Sequence, residues 1–109
     1  MLIEFHSDRG KVHEWVIQFV QQKLIDMHHK NKNIAEADVY FREQADSNGG
    51  TKICEIDLTV FGDSVFVSRN ADSFELAARE VTEWLEQIVA DQVAQQKLPT
   101  EAVTSTVKV

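Results

Sequence analysis

Residues 35–42 read Ala35-Glu36-Ala37-Asp38-Val39-Tyr40-Phe41-Arg42, and apolar side chains at every second position alternate with more polar ones. This period of two is typical of a β-strand that is buried on one face and solvated on the other. The same alternation returns in residues 54–60, where the apolar positions are Cys54, Ile56, Leu58 and Val60. Residues 47–50, Ser-Asn-Gly-Gly, separate the two stretches and accept the positive φ of a chain reversal. The sequence therefore predicts a β-hairpin here.

Two further strands and a helix lie on either side of this hairpin. Ile3 and Phe5 alternate with polar residues in a short first strand, and a tight turn at Gly62-Asp63 leads into a fourth strand over residues 64–69. Apolar residues at helical spacing between residues 11 and 29 predict an amphipathic helix. Its apolar stripe consists of Val12, Val16, Phe19, Val20, Leu24 and Met27.

A second, longer helix is predicted after the fourth strand. Asp72 and Glu75 have the spacing of a capping box, so we expect the helix to begin at Asp72. We expect it to run to about Gln96 and to be stopped by Pro99, which has no backbone N–H to donate. Its apolar face consists of Phe74, Ala77, Ala78, Val81, Leu85, Ile88 and Val89.

The predicted fold class is α+β, with the element order β-α-β-β-β-α. The first helix is a crossover that places strand one parallel to strand two, and the hairpin turns make the remaining pairs antiparallel. Each strand has only one apolar face, so we expect a four-stranded mixed sheet with both helices packed on one face. The other face is left to solvent or to a partner.

The C-terminal end is predicted to be a separate segment. We expect a domain over residues 1–96 and a tail over residues 97–109 without periodicity of its own. Residues 102–109 are rich in Val and Thr, which favour strands. One hypothesis is that the tail adds as a short strand to an exposed sheet edge; the alternative is a loose peptide.

Composition limits the classes of function. The chain of 109 residues is predicted to be one soluble, cytoplasmic domain without a signal peptide or a membrane span, and its lone Cys54 cannot form an internal disulfide. The net charge of −7 argues against an indiscriminate nucleic-acid binder. Five cations and all four histidines nevertheless lie in residues 1–35, whereas residues 72–96 carry six acids and only Arg79. An anionic partner would therefore meet the N-terminal third.

The element order, together with Asp72-Ser73-Phe74-Glu75-Leu76-Ala77-Ala78 at the opening of the last helix, resembles the ribosome hibernation factor family, also known as sigma-54 modulation protein or protein Y. The resemblance covers residues 1 to about 96 and corresponds to the short form. It implies a sheet with both helices on one face. It also implies binding to the small ribosomal subunit, where mRNA and tRNA pass, and inhibition of translation in stressed or resting cells. In tailed short members the extension lies toward the messenger path.

One stretch departs from the family pattern. Ribosome-binding members carry Lys and Arg on the exposed side of the last helix, especially toward its C-terminus. This chain has Glu83, Glu86, Asp91, Gln92, Gln95 and Gln96 there. Each missing cation leaves one phosphate fewer neutralised.

The candidate RNA-binding residues therefore lie in the N-terminal third: Arg9, Lys11, Lys23, His28, His29, Lys30 and Lys32. The cluster at the end of the first helix is open to two interpretations. In the functional interpretation it binds rRNA phosphates. In the structural interpretation its cations complement the dipole at the helix C-terminus.

Other chemistry-bearing residues favour structural roles. Glu36, Asp38, Glu55 and Asp57 are predicted to be solvated on the uncovered sheet face, and Cys54 to be a core residue. No metal site, cofactor or small-molecule substrate is predicted, because His28 and His29 point about 100° apart on a helix and His6 and His13 share no ligand spacing. Trp15 and Trp84 are expected to pack at the helix seam, the alternative being an exposed aromatic patch.

Two functions from different classes remain open. The first is a translation inhibitor that occludes the mRNA and tRNA path of the small subunit. The second is an acidic protein-interaction or regulatory module, with a protein partner or a second copy of the chain, that has lost RNA binding. No enzyme is predicted, since the sequence contains neither a phosphate-binding glycine loop nor a nucleophile elbow.

Overall fold

The computed structural model describes residues 1–7, 12–45 and 50–106, with side chains as far as residue 91. The elements are β1 (Leu2–Ser7), α1 (Glu14–Lys30), β2 (Ile34–Gln44), β3 (Thr51–Val60), β4 (Asp63–Ala71) and α2 (Phe74–Thr106). This order confirms the predicted β-α-β-β-β-α arrangement. Within the described part of the chain, no helix combines the length and apolar content that crossing a lipid bilayer requires.

The four strands form one sheet in the order β1-β2-β3-β4. β1 is parallel to β2, with Glu4 opposite Asp38, and the other two pairs are antiparallel. Both helices pack on the same face, α2 over β3 and β4 and α1 beside α2 over β2. The opposite face is uncovered, so the predicted mixed sheet is confirmed.

A single core fills the space between the sheet and the helices. The strands contribute the side chains predicted from the period of two, including Val39, Phe41, Ile56 and Leu58, and all of these are buried. The helices contribute Val16, Val20, Leu24 and Met27 from α1, and Phe74, Ala77, Ala78, Val81, Leu85 and Val89 from α2. Cys54 is fully buried in this core, as predicted.

The turn between β3 and β4 is centred one residue earlier than predicted. Val60 pairs with Asp63, so Phe61 and Gly62 are its central residues, with φ values of 56° and 82°. Two consecutive positive φ values are typical of the tight turns that match the twist of a hairpin. Of the other predicted turn, residues 47–49 lie outside the described residues, and Gly50 has a φ of 120°.

Two predictions about α2 were wrong. Its cap is Ser73 and not Asp72: Ser73 Oγ accepts a hydrogen bond from the backbone N–H of Leu76 at 3.2 Å. The helix also continues through Pro99 to Thr106. A proline inside a helix removes one backbone hydrogen bond, but propagation of an established helix is cooperative and tolerates that single loss.

The strand hypothesis for the tail was therefore wrong as well. Residues 102–106 are helical, so the β-propensity of Val103 and Thr104 is overridden by continuation of α2. Residues 107–109 of the tail lie outside the described residues.

Candidate functional site

The last turn of α1 gathers the cationic residues expected from the sequence. His28, His29 and Lys30 occupy this turn, and Lys32 follows the helix by two residues. His29, Lys30 and Lys32 are exposed, whereas His28 is half-buried. The positive charges of Lys30 and Lys32 lie at the negative end of the helix dipole, so they stabilise α1 and are at the same time presented to solvent.

Asn31 fixes the direction in which the chain leaves this cluster. It is almost fully buried, and its backbone N–H donates to the carbonyl of Met27 at 2.9 Å. Its side-chain oxygen accepts from the backbone N–H of Asn33 at 3.0 Å. This local turn holds Lys32 outward before β2 begins at Ile34.

Lys23 is less available for a phosphate contact than its position in the sequence indicates. Its Nζ lies 3.8 Å from Glu86 Oε2 of α2 and 5.7 Å from the centre of the Phe19 ring. A half-exposed pair of this kind contributes little to stability, but it places a carboxylate beside the lysine. Lys23 is therefore a weaker candidate for a phosphate contact than Lys30 or Lys32.

A groove of about 460 Å³ borders the cationic cluster. It lies between the end of α1 and the middle of α2, and its lining comprises Met27, Lys30, Asn31, Glu86, Val89 and Ala90. Its lining combines the apolar side chains of Met27, Val89 and Ala90 with one charge of each sign, from Lys30 and Glu86. Arg9 and Lys11, the two remaining candidates, lie outside the described residues.

The outer flank of α2 has the opposite character. A wide groove of about 570 Å³ is lined by Glu80, Glu83, Glu86, Gln87, Ala90, Trp84 and Arg69. The guanidinium of Arg69, on β4, lies 5.2 Å from the centre of the Trp84 ring. Glu83 and Asp91 are exposed, so the acidic departure noted in the sequence is a surface property of the folded chain.

The expectation that both tryptophans pack in the core at the helix seam was wrong, although Trp15 does lie at the seam, beside Glu75 and Arg79 of α2. Trp15 is 55 % exposed and Trp84 is 46 % exposed. The reason for Trp84 is that α1 covers only one flank of α2, where Lys23 reaches Glu86. Trp84 lies on the other flank, toward the edge strand β4, where Arg69 covers the ring only in part.

The uncovered sheet face carries the acids predicted for it. Arg42 Nη2 lies 3.1 Å from Glu55 Oε1, and His6 Nε2 lies 3.2 Å from Asp38 Oδ1. Asp57 accepts a hydrogen bond from the hydroxyl of Ser64. The approach of His6 to Asp38 was not predicted, because it depends on the register of two strands that are distant in sequence.

The fold is similar to that of a ribosomal subunit interface protein from Coxiella burnetii, with a TM-score of 0.69 over 86 % of this chain and 99 % of that one. It is also similar to the N-terminal domain of Protein Y from Thermus thermophilus, with a TM-score of 0.67 over 82 % of this chain and 96 % of that one. The identities are 14 % and 18 %, so the likeness concerns the fold, which is the fold the resemblance implied. No protein-family model matches the sequence, and no curated protein matches it significantly.

Proposed function

We propose that this chain is a ribosome-associated translation inhibitor that binds the small ribosomal subunit and occludes the path of mRNA and tRNA. The observation that carries the proposal is the shared fold, which extends over 99 % of a protein named for the ribosomal subunit interface. In this role the chain acts by binding in the cytoplasm, in stressed or resting cells, and performs no catalysis.

The exposed cations at the end of α1 support an RNA contact there. His29, Lys30 and Lys32 project from one short segment, and phosphate contacts by such residues supply the salt-dependent part of nucleic-acid affinity. The acidic flank of α2 repels phosphates, so the chain would approach rRNA with α1 first and with Glu83 and Asp91 turned away.

A second candidate function is favoured by the groove on that acidic flank. Trp84 is exposed there among three glutamates, and an exposed aromatic ring within a charged rim is typical of protein-binding surfaces. In this alternative the chain keeps the scaffold and binds a protein partner, or a second copy of itself, in place of RNA.

Sedimentation of the purified chain with small ribosomal subunits separates the two functions. The translation-inhibitor proposal predicts that the chain moves with the subunits on a sucrose gradient at low salt and is released at moderate salt. A chain that stays at the top of the gradient at every salt concentration would favour the protein-interaction module.

Occlusion requires its own measurement, since a protein can bind the subunit without blocking it. Pre-bound chain should reduce the retention of labelled mRNA and tRNA on small subunits in a filter-binding assay. Unchanged retention at saturating chain would contradict occlusion while leaving binding intact.

A further inference from the structure

The parallel register of β1 and β2 brings three metal-ligating side chains together on the uncovered sheet face. Glu4 and His6 are two residues apart on β1 and so project from the same face. Asp38 of β2 is paired with Glu4 in the ladder. All three positions belong to regular strands, which hold side chains more rigidly than loops do.

The distances between the ligand atoms are close to those of a metal centre. His6 Nε2 lies 3.2 Å from Asp38 Oδ1 and 4.0 Å from Glu4 Oε1, and one ligand atom from each residue lies within 4.8 Å of the others. Tetrahedral Zn²⁺ with bonds of about 2.0–2.1 Å separates its ligands by roughly 3.4 Å. The His6–Asp38 distance is already close to this value. A small rotation of the exposed Glu4 side chain brings its carboxylate oxygen to a similar distance from the other two ligand atoms.

The imidazole ring of His6 is held in place by its neighbours. It stacks on Tyr40 at 4.7 Å between ring centres, with an interplanar angle of 17°. The guanidinium of Arg42 lies 5.6 Å from the centre of the Tyr40 ring and so supports it from the same strand. The stacking orients the ring before any ion arrives, which lowers the free-energy cost of forming the site.

The surrounding charges favour a cation at this position. Glu4, Asp38 and Asp57 form one row across three adjacent strands, each directly opposite the next in the ladder. Like charges directly opposite one another in a sheet are destabilising. Ser64 donates a hydrogen bond to Asp57, whereas among the described residues the ion-pair partner of both Glu4 and Asp38 is the His6 imidazole. A bound dication would relieve this repulsion.

We propose that Glu4, His6 and Asp38 bind a divalent transition-metal ion of the Zn²⁺ class. One imidazole with two carboxylates suits this class, whereas Mg²⁺ and Ca²⁺ prefer oxygen ligands alone. Three protein ligands leave a fourth position for water or for an oxygen or nitrogen atom of a partner that covers the sheet face. The site lies on the opposite side of the sheet from α1, so it is separate from the proposed RNA contact.

Isothermal titration of the full chain with ZnCl₂, in a buffer that does not chelate metal, tests this assignment. We expect one equivalent of Zn²⁺ to bind, and His6→Ala and Asp38→Asn each to weaken binding at least tenfold. Glu36→Gln is the matched control, because Glu36 lies on the same strand and face as Asp38 and its replacement removes the same charge. It should leave Zn²⁺ affinity unchanged, and MgCl₂ should give no comparable heat.

NMR signals of the histidine rings distinguish this site from adventitious binding at His13, His28 or His29. The His6 ring signals should shift and saturate at one equivalent of Zn²⁺, with circular dichroism confirming that each variant is folded. Equal Zn²⁺ affinity in His6→Ala and Glu36→Gln, or shifts confined to the other histidines, would overturn the proposal. The titration contains no ribosomes, so its outcome is independent of the proposed function.

Discussion

Ser73 sets the first turn of α2 through a single hydroxyl. Its Oγ accepts from the N–H of Leu76, and its carbonyl accepts from the N–H of Ala77. Ser73→Ala leaves one of the free N–H groups at the helix start without a protein partner. We expect the free energy of unfolding, measured by urea denaturation, to fall by about 1 kcal/mol.

The neighbouring Asp72 provides the matched control, because it lies one position before the cap and has the spacing that suggested a capping box. Asp72→Ala should change the free energy of unfolding by no more than about 0.5 kcal/mol. A larger loss for Asp72→Ala than for Ser73→Ala would identify Asp72 as the cap after all.

Cys54 is predicted to be chemically inert in the folded chain. Burial raises the pKa of the Cys54 thiol to about 12, with a smaller contribution from the negative charge of Glu55. At pH 8 only roughly one thiol in 10⁴ is then ionised, and the thiolate is the reactive form. A thiol reagent should therefore modify the native protein far more slowly than the urea-unfolded protein, and equal rates would contradict the burial.

The same pKa shift has a consequence for stability at alkaline pH. The unshifted pKa is 9.0, so above this pH the unfolded chain loses the thiol proton while the folded chain keeps it. The contribution of Cys54 to stability is thus complete below pH 9 and declines as the pH rises toward 12. Cys54→Ala should remove this part of the alkaline slope in urea midpoints.

The secondary-structure elements show what periodicity can and cannot predict. The strands around Val39 and Ile56 and the stripe from Val16 to Met27 follow directly from periods of 2 and 3.6. The exposure of Trp84 does not, since a position beside an apolar stripe is buried only if a neighbouring element covers that flank. Here α1 covers the opposite flank.

The register between two strands that are distant in sequence cannot be predicted from local patterns either. His6 and Asp38 are 32 residues apart, and they meet only because β1 and β2 pair in parallel with Glu4 opposite Asp38. The alternation of residues 2–7 indicates that Glu4 and His6 share a face, and nothing in it identifies the partner strand. The exposure of His29, Lys30 and Lys32, by contrast, could be predicted from their positions at the end of α1 and just after it.

Pro99 offers a test of α2 as a continuous helix. It lacks the N–H that would donate to the carbonyl of Gln95, and an internal proline costs a helix about 3 kcal/mol relative to alanine. Because residues 97–106 are already helical, Pro99→Ala should leave the ellipticity at 222 nm nearly unchanged and should raise the free energy of unfolding, measured by urea denaturation. Thr100→Ala, a neighbouring substitution that restores no hydrogen bond, should have a much smaller effect. A large gain in ellipticity for Pro99→Ala would mean that residues 97–106 are not helical in the wild-type chain.

At the scale of the whole molecule, charge is divided between two surfaces of one rigid scaffold. The end of α1 presents exposed cations, and the outer flank of α2 presents Trp84 among glutamates. The net charge of −7 hides this division. Because the charges are divided in this way, a chain that is acidic overall can still approach RNA with the end of α1, while the acidic flank of α2 repels the RNA.

The affinity of the chain for small ribosomal subunits, compared between two charge-reversed variants, tests whether the end of α1 contacts rRNA. Lys30→Glu with Lys32→Glu reverses the exposed cluster at the end of α1. Arg42→Glu with Arg79→Glu reverses two cations elsewhere and gives the same net charge. We expect the first variant to lose binding. For the wild type, log affinity should fall by about 0.9 per phosphate contact for each tenfold rise in salt, and the first variant should lose this dependence. The second variant should bind nearly as the wild type does. Equal binding by both variants, unaffected by salt, would contradict a contact through the end of α1.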